Sequence, residues 1–155
     1  VIDVAIVNAG VYGPRVSAIT TPGDEEFDLV MRTNVRAPMQ LISALAPALT
    51  DARSRIAVVS SRMGSMSLMS SSAGWLYRAS KAAVNAAVKA ASIELGARGI
   101  VCVAFHPGWV RTDMGGTGAD IDAATSVAGM RLVLAAANAS HNGKFLNYSG
   151  EQLSW

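Results

Sequence analysis

The stretch WLYRASKAAVNAAVKAASIELGARGIVCVAFHPG, residues 75–108, sets a helix, a stop and a strand in direct succession. From Trp75 to Ala97 the apolar residues keep helical spacing through an alanine-rich run, which predicts one long helix with an apolar face. Gly99, directly after Arg98, suits the left-handed conformation that ends many helices. IVCVAF, from Ile100, is then continuously apolar and rich in β-branched side chains, the pattern of a buried strand. It gives way to His106, Pro107 and Gly108, a turn at the strand's carboxyl end.

The same alternation continues on both sides. VIDVAIV before Asn8 and RIAVVSS from Arg55 read as buried strands, and KFLNY from Lys144 as a weaker one; helical spacing covers Glu25 to Leu49 and Ile121 to Ala137. Strand and helix in strict alternation predict an α/β domain with a parallel sheet and helices on its faces, because each crossover must return over the sheet. No repeat, low-complexity tract or linker divides the sequence, so residues 1–155 form a single domain. Pro22, Gly23 and Asp24 precede EEF, placing acids where a helix dipole favours them. Pro38 and Pro47 are awkward inside a continuous helix. The first helical region is therefore expected as two pieces, one ending near Thr33 and the other starting near Asn34 with Pro38 in its first turn.

Composition narrows the function. With 51% hydrophobic and 15% charged residues the chain is a folding sequence rather than a disordered one. A net charge of +2 without a basic stripe argues against nucleic acid and anionic membranes as partners. No apolar run reaches the length of a membrane span and no secretory leader pattern opens the sequence, so the cytoplasm is expected. The single cysteine, Cys102, lies in a strand and fits a reducing compartment. Two histidines, His106 and His141, without clustered carboxylates make no metal site.

In open parallel sheets ligands bind outside the carboxyl ends of the strands. Here those ends carry Asn8-Ala9-Gly10, Ser60-Ser61 and His106-Pro107-Gly108. Tyr77 and Lys81 stand four residues apart, hence on one helical face. Unit charges about 4 Å apart interact by roughly 4 kcal/mol at an effective dielectric of 20. A lysine there is expected to lower the phenol pKa, making it a proton donor and acceptor near neutral pH. Alone, the pair also fits a surface aromatic–cation contact. Ser61, at the end of the preceding strand, adds a second hydrogen-bond donor for a substrate oxygen, and the two together favour carbonyl chemistry.

Ser60-Ser61 followed by YRASK at Tyr77 to Lys81 resembles the serine and Tyr-x-x-x-Lys motif of the short-chain dehydrogenases/reductases. NAG at Asn8 to Gly10 is similar to that family's Asn-Asn-Ala-Gly motif, with Val7 in place of the first asparagine. TNVRAP supplies Asn34 as its active-site asparagine, and HPGWVRTDM resembles its Pro-Gly segment. SVAGM from Ser126 and GKFLNYSGEQLSW from Gly143 look like the C-factor and sniffer-like carbonyl reductases within the family.

The resemblance implies the C-terminal part of a doubly wound, Rossmann-like parallel sheet, starting at about the fourth strand of the family layout. It implies hydride transfer between NADP or NAD and a small-molecule carbonyl or alcohol. Tyr77 would be the general acid/base and, with Lys81, a cofactor-binding residue; Ser61 would hold the carbonyl oxygen, Lys81 would lower the Tyr77 pKa and hold ribose hydroxyls, and Asn34 would bind a water on the proton path. Asn8, Ala9 and Gly10 would border the adenosine side of the cofactor; Pro107, Gly108, Val110 and Thr112 would hold the nicotinamide. The helices Asn34 to Leu49 and Trp75 to Ala97 match the family's dimer-forming pair, so a homo-oligomer is expected.

One departure stands against this pattern. The family's opening strand, glycine-rich turn and helix, which receive the cofactor pyrophosphate, are not in these 155 residues. Gly115, Gly116 and Gly118 follow the Pro-Gly segment and read as a substrate-side loop. Two readings fit: a piece of a longer reductase, or a short protein that pairs its open sheet edge with another chain. A non-catalytic protein with a binding or signalling role is the alternative function. Met63, Met66 and Met69 fit either an apolar substrate pocket or packing in a loop, while Trp109 and Trp155 fit pocket or core.

Overall fold

A computed structural model describes residues 1–49 and 53–155. Four strands, β1 (Val4–Val7), β2 (Arg55–Val59), β3 (Val101–His106) and β4 (Phe145–Asn147), lie side by side in chain order and run parallel. A short β5 (Gln152–Leu153) adds antiparallel to β4. The sequence reading missed β5 because two residues carry no periodic signal. The helices are α1 (Asp24–Met31), α2 (Ala37–Leu45), α3 (Trp75–Ala97) and α4 (Ala123–Ala136). This mostly parallel sheet with flanking helices is the expected Rossmann-like architecture.

Strand periodicity sorts the core into two layers. Ile56 and Val58 of β2, with Cys102 and Ala104 of β3, pack with Ile42 of α2 and with Val84, Val88 and Leu95 of α3. The alternate residues Ala57, Val59, Val103 and Phe105 pack with Met130 and Leu134 of α4 on the opposite face. Cys102 is wholly buried, and burial pushes its thiol up to about 12, so it packs as an apolar residue. The layer under α4 contains no residue of β1, which leaves Val4 and Ile6 about half exposed at 49% and 48%.

The helix punctuation is local chemistry. Gly99 takes φ +79°, and Ile100 N–H donates to the Leu95 carbonyl at 3.1 Å, closing the end of α3. Asp122 Oδ1 accepts from Thr125 N–H at 2.7 Å and caps α4. The expectation of two separate pieces before Leu49 is corrected: α1 and α2 are joined by a π-turn at Arg32–Arg36 whose residues stay helical, and Pro38 falls in the first turn of α2 as expected. A π-turn widens the helix by one residue without ending it, and such turns concentrate at functional sites. Asn34 sits inside this one.

Candidate active site

All four parallel strands end on one edge of the sheet, which places Gly10, Ser61 and Pro107 along a common rim. Ser61 leaves β2 and caps the short turn Arg62–Gly64, its Oγ accepting from Met63 N–H at 3.1 Å. Gly64 then presses its backbone on α3. A Cβ there would stand 2.6 Å from the Lys81 carbonyl carbon, so only glycine lets the loop come so near. This approach brings the Ser61 hydroxyl beside the Tyr77 phenol, whose pKa it lowers.

Tyr77 and Lys81, one turn apart on α3, are 6% and 3% exposed. Lys81 Nζ donates to the Val59 carbonyl at 3.0 Å and lies 5.6 Å from the centre of the Tyr77 ring. Burial pulls the ammonium down from 10.5 to about 8. Burial also raises the Tyr77 phenol above 10.0; the Ser61 hydrogen bond lowers it and Tyr12 adds to the rise. The expected acidification of Tyr77 by Lys81 is therefore not what this structure shows. Desolvation of the phenolate wins, because the ammonium is spent on a carbonyl and faces the ring rather than the hydroxyl.

Asn34 is 1% exposed, and its carboxamide clamps the loop after β1. Its Oδ1 accepts from Val11 N–H at 2.8 Å, and Nδ2 donates to the Val11 carbonyl at 2.8 Å and to Ser80 Oγ at 2.9 Å. Both amide hydrogens are committed, so the expected water site at this side chain is limited to accepting one hydrogen bond at Oδ1. The same atom and the Lys81 amine line a nook over Gly10, where a Cβ would lie 3.3 Å from Nζ and 3.5 Å from Oδ1. Glycine keeps that nook open.

The structure thus gathers Gly10, Asn34, Ser61, Tyr77 and Lys81. Asn8 and Ala9 lie exposed at the end of β1. Pro107, Gly108, Val110 and Thr112 follow β3, two strands away. Gly108 has φ +86°, and the Pro107 carbonyl accepts from Ser126 Oγ at 2.6 Å, tying this turn to α4. Thr112 Oγ1 accepts from Gly115 N–H at 3.2 Å, and Trp109 Nε1 donates to the Gly115 carbonyl at 2.9 Å, so the glycines close a compact loop beside the rim. Trp155 instead stacks on Phe145, with centroids 5.4 Å apart, as core packing. Of the three methionines, Met63 is half-buried while Met66 and Met69 are exposed. Tyr12, stacked on Tyr77 at 4.7 Å, escaped the sequence reading because a tyrosine in an aperiodic loop carries no signal.

His106 is a separate case. Its Nδ1 is buried without a hydrogen-bond partner, and burial, helped by Arg62, pulls it from 6.5 to about 4. Between those values the unfolded chain binds a proton that the folded one refuses, so stability falls as pH falls through this window. Going from pH 7 to pH 5 should cost about 2 kcal/mol through this group. Urea midpoints at the two pH values, compared with those of His106→Gln, measure it: the variant's loss should be smaller by that amount.

Comparison with known proteins gives concordant results. The short chain dehydrogenase family model matches residues 1–122. The C-signal of Myxococcus xanthus is 41% identical over 158 residues, covering 99% of this chain and 93% of its own. Among solved structures, the carbonyl reductase Sniffer of D. melanogaster superposes with a TM-score of 0.93 at 35% identity, covering 99% of this chain and 66% of its own. A carbonyl reductase from Pseudomonas aeruginosa PAO1 in complex with NADP gives 0.86 at 35% identity, again covering 99% and 66%. The chain therefore spans about two thirds of these reductases and nearly all of the C-signal.

Proposed function

The chain belongs to the short-chain dehydrogenase family, and on that premise we propose that it serves hydride transfer between a nicotinamide cofactor and a small carbonyl or alcohol substrate, with Tyr77 as general acid/base. The observation that carries this reading is the convergence of Ser61, Tyr77 and Lys81, all buried, on one strand-end rim.

The residues present fit the nicotinamide-ribose end of such a cofactor. Lys81 has three donors, and Val59 is the acceptor bonded to it among the described residues, so two remain for ribose hydroxyls. The nook over Gly10 supplies the room. Asn8, Ala9 and Gly10 would border the adenosine side, and Pro107, Gly108, Val110 and Thr112 the nicotinamide. When bound, NADP or NAD supplies the hydride. The protein's own part is orientation and proton movement. Ser61 donates to the carbonyl oxygen, and the Tyr77 hydroxyl gives that oxygen its proton in reduction or removes one from an alcohol in oxidation. The raised phenol pKa keeps Tyr77 protonated, the form needed for reduction. Lys81, lowered to about 8, stays largely cationic at neutral pH and keeps its donors for the ribose hydroxyls.

NADP is the first cofactor to test, since the Pseudomonas reductase holds it. The α2–α3 surface, with Met39, Ile42, Ala87 and Ala91 along one groove, fits a homo-oligomer, and the cytoplasm is its expected location. Incubation with NADPH and small aldehydes or ketones should consume NADPH and yield the alcohol, identified by mass spectrometry. Absence of alcohol across such a panel, with the protein folded, would overturn the reading. A second reading, a binding or signalling protein without turnover, draws its support from the length shared with the C-signal.

A further inference from the structure

Tyr12 lies face to face with Tyr77, centroids 4.7 Å apart and planes 21° from parallel. On Tyr12 rests the Arg15 guanidinium, 4.9 Å from the ring centre. The same guanidinium donates to the Met114 carbonyl at 2.8 Å, in the loop that follows β3. A line of contacts therefore runs from that loop through Arg15 and Tyr12 to the buried phenol. We propose that Tyr12 is a positioning residue for Tyr77 and that Arg15 couples it to the loop carrying Met114, so that the seating of this loop sets the plane in which the phenol acts.

Three features show that Tyr12 is held in place rather than resting there by chance. Asn34 grips the backbone of Val11, the residue before it, through two hydrogen bonds of 2.8 Å. Gly13, the residue after it, turns at φ +77°, where a Cβ would come 2.5 Å from Val30 Cγ2. Gly74, just before α3 and at φ +68°, leaves room that a Cβ would take from the Tyr12 hydroxyl. The groups facing Tyr77 are thus Tyr12, Ser61 and Lys81, from three different segments.

Ser61 acts on the phenol oxygen, but an influence at that one atom leaves the ring free to rotate. An offset stack on the ring face removes that freedom. Arg15, with a planar cation suited to aromatic faces, presses the stack from outside. Misplacement of a reacting group by about 1 Å costs up to about 100-fold in rate. The significance for catalysis rests on the reading of Tyr77 as proton donor; the packing does not.

The test is NMR of the 155-residue chain labelled with ring-13C tyrosine, which carries three tyrosines and so few signals. Tyr12→Leu should remove the ring-current shift of Tyr77 and make its phenol about tenfold more acidic by admitting water. Tyr12→Phe, which keeps the ring, should restore both. Arg15→Gln should move the Tyr77 ring signals and, in a second sample labelled uniformly with 15N, the Met114 and Gly115 amides, and serves if Tyr12→Leu does not fold. Unchanged Tyr77 signals and titration in folded Tyr12→Leu would overturn the positioning role; unchanged signals in Arg15→Gln would overturn the coupling. In the turnover assay Tyr12→Leu should lower kcat about 10- to 100-fold with KM little changed. These NMR effects in the variants, with no turnover by the wild type, would sink the reductase reading alone.

Discussion

Lys81→Met is expected to stabilise the protein while weakening nicotinamide binding at least tenfold. The ammonium is 3% exposed, bonds to the Val59 carbonyl, and has its pKa pulled from 10.5 to about 8 by burial. For a base with a depressed folded pKa, the unfolded chain holds the proton more tightly between pH 8 and 10.5, so stability should rise with pH across that window. At neutral pH both states are charged, and the folded one bears a cost of about 3 kcal/mol at 1.4 kcal/mol per unit. Methionine keeps the apolar stem and removes the charge. Leaving the Val59 carbonyl without its donor returns about 1 kcal/mol of that gain. A net gain of about 1–2 kcal/mol remains, and a chain of this size should melt several degrees higher. A thermal scan at pH 7 checks it; a lower midpoint would mean that the ammonium is better satisfied than its surroundings suggest. A residue whose removal stabilises the fold is most simply explained by a function elsewhere in the cycle.

The second large effect is on rate. Tyr77→Phe keeps the ring that stacks on Tyr12 and loses only the hydroxyl beside Ser61. Proton transfer by a positioned group contributes about 10²–10⁴-fold. In the carbonyl-reduction assay kcat should fall by that factor, with cofactor affinity nearly unchanged because Lys81 and Gly10 are untouched. Turnover within threefold of wild type would remove Tyr77 from the chemistry. The fold should survive, since phenylalanine keeps the buried ring and its stack on Tyr12.

Sequence and structure agree where period carries the signal. The stretch from Trp75 to Gly108 gave the bounds of α3 and β3 to within a residue, because an alanine-rich amphipathic helix and a β-branched strand have incompatible periods. Ser61, Tyr77 and Lys81 were legible from strand ends and helical spacing. The electrostatics were not: spacing says that Lys81 is near Tyr77, but only burial shows desolvation raising the phenol and lowering the amine. Nor did composition reveal the π-turn at Asn34, whose carboxamide makes tertiary hydrogen bonds to Val11 and Ser80. Tyr12 and Arg15 were hidden for the same reason, since their meaning lies in what the loop is folded against.

Lys81, beside the Gly10 nook, is proposed to hold the nicotinamide ribose next to the Tyr77 phenol. This role is tested most directly by titrating the 155-residue chain and its Lys81→Met variant with NADPH while following nicotinamide fluorescence. Saturable binding by the wild type, at least tenfold weaker or lost in a folded Lys81→Met, is the expected result. Equal binding by both, or none by either, would contradict it.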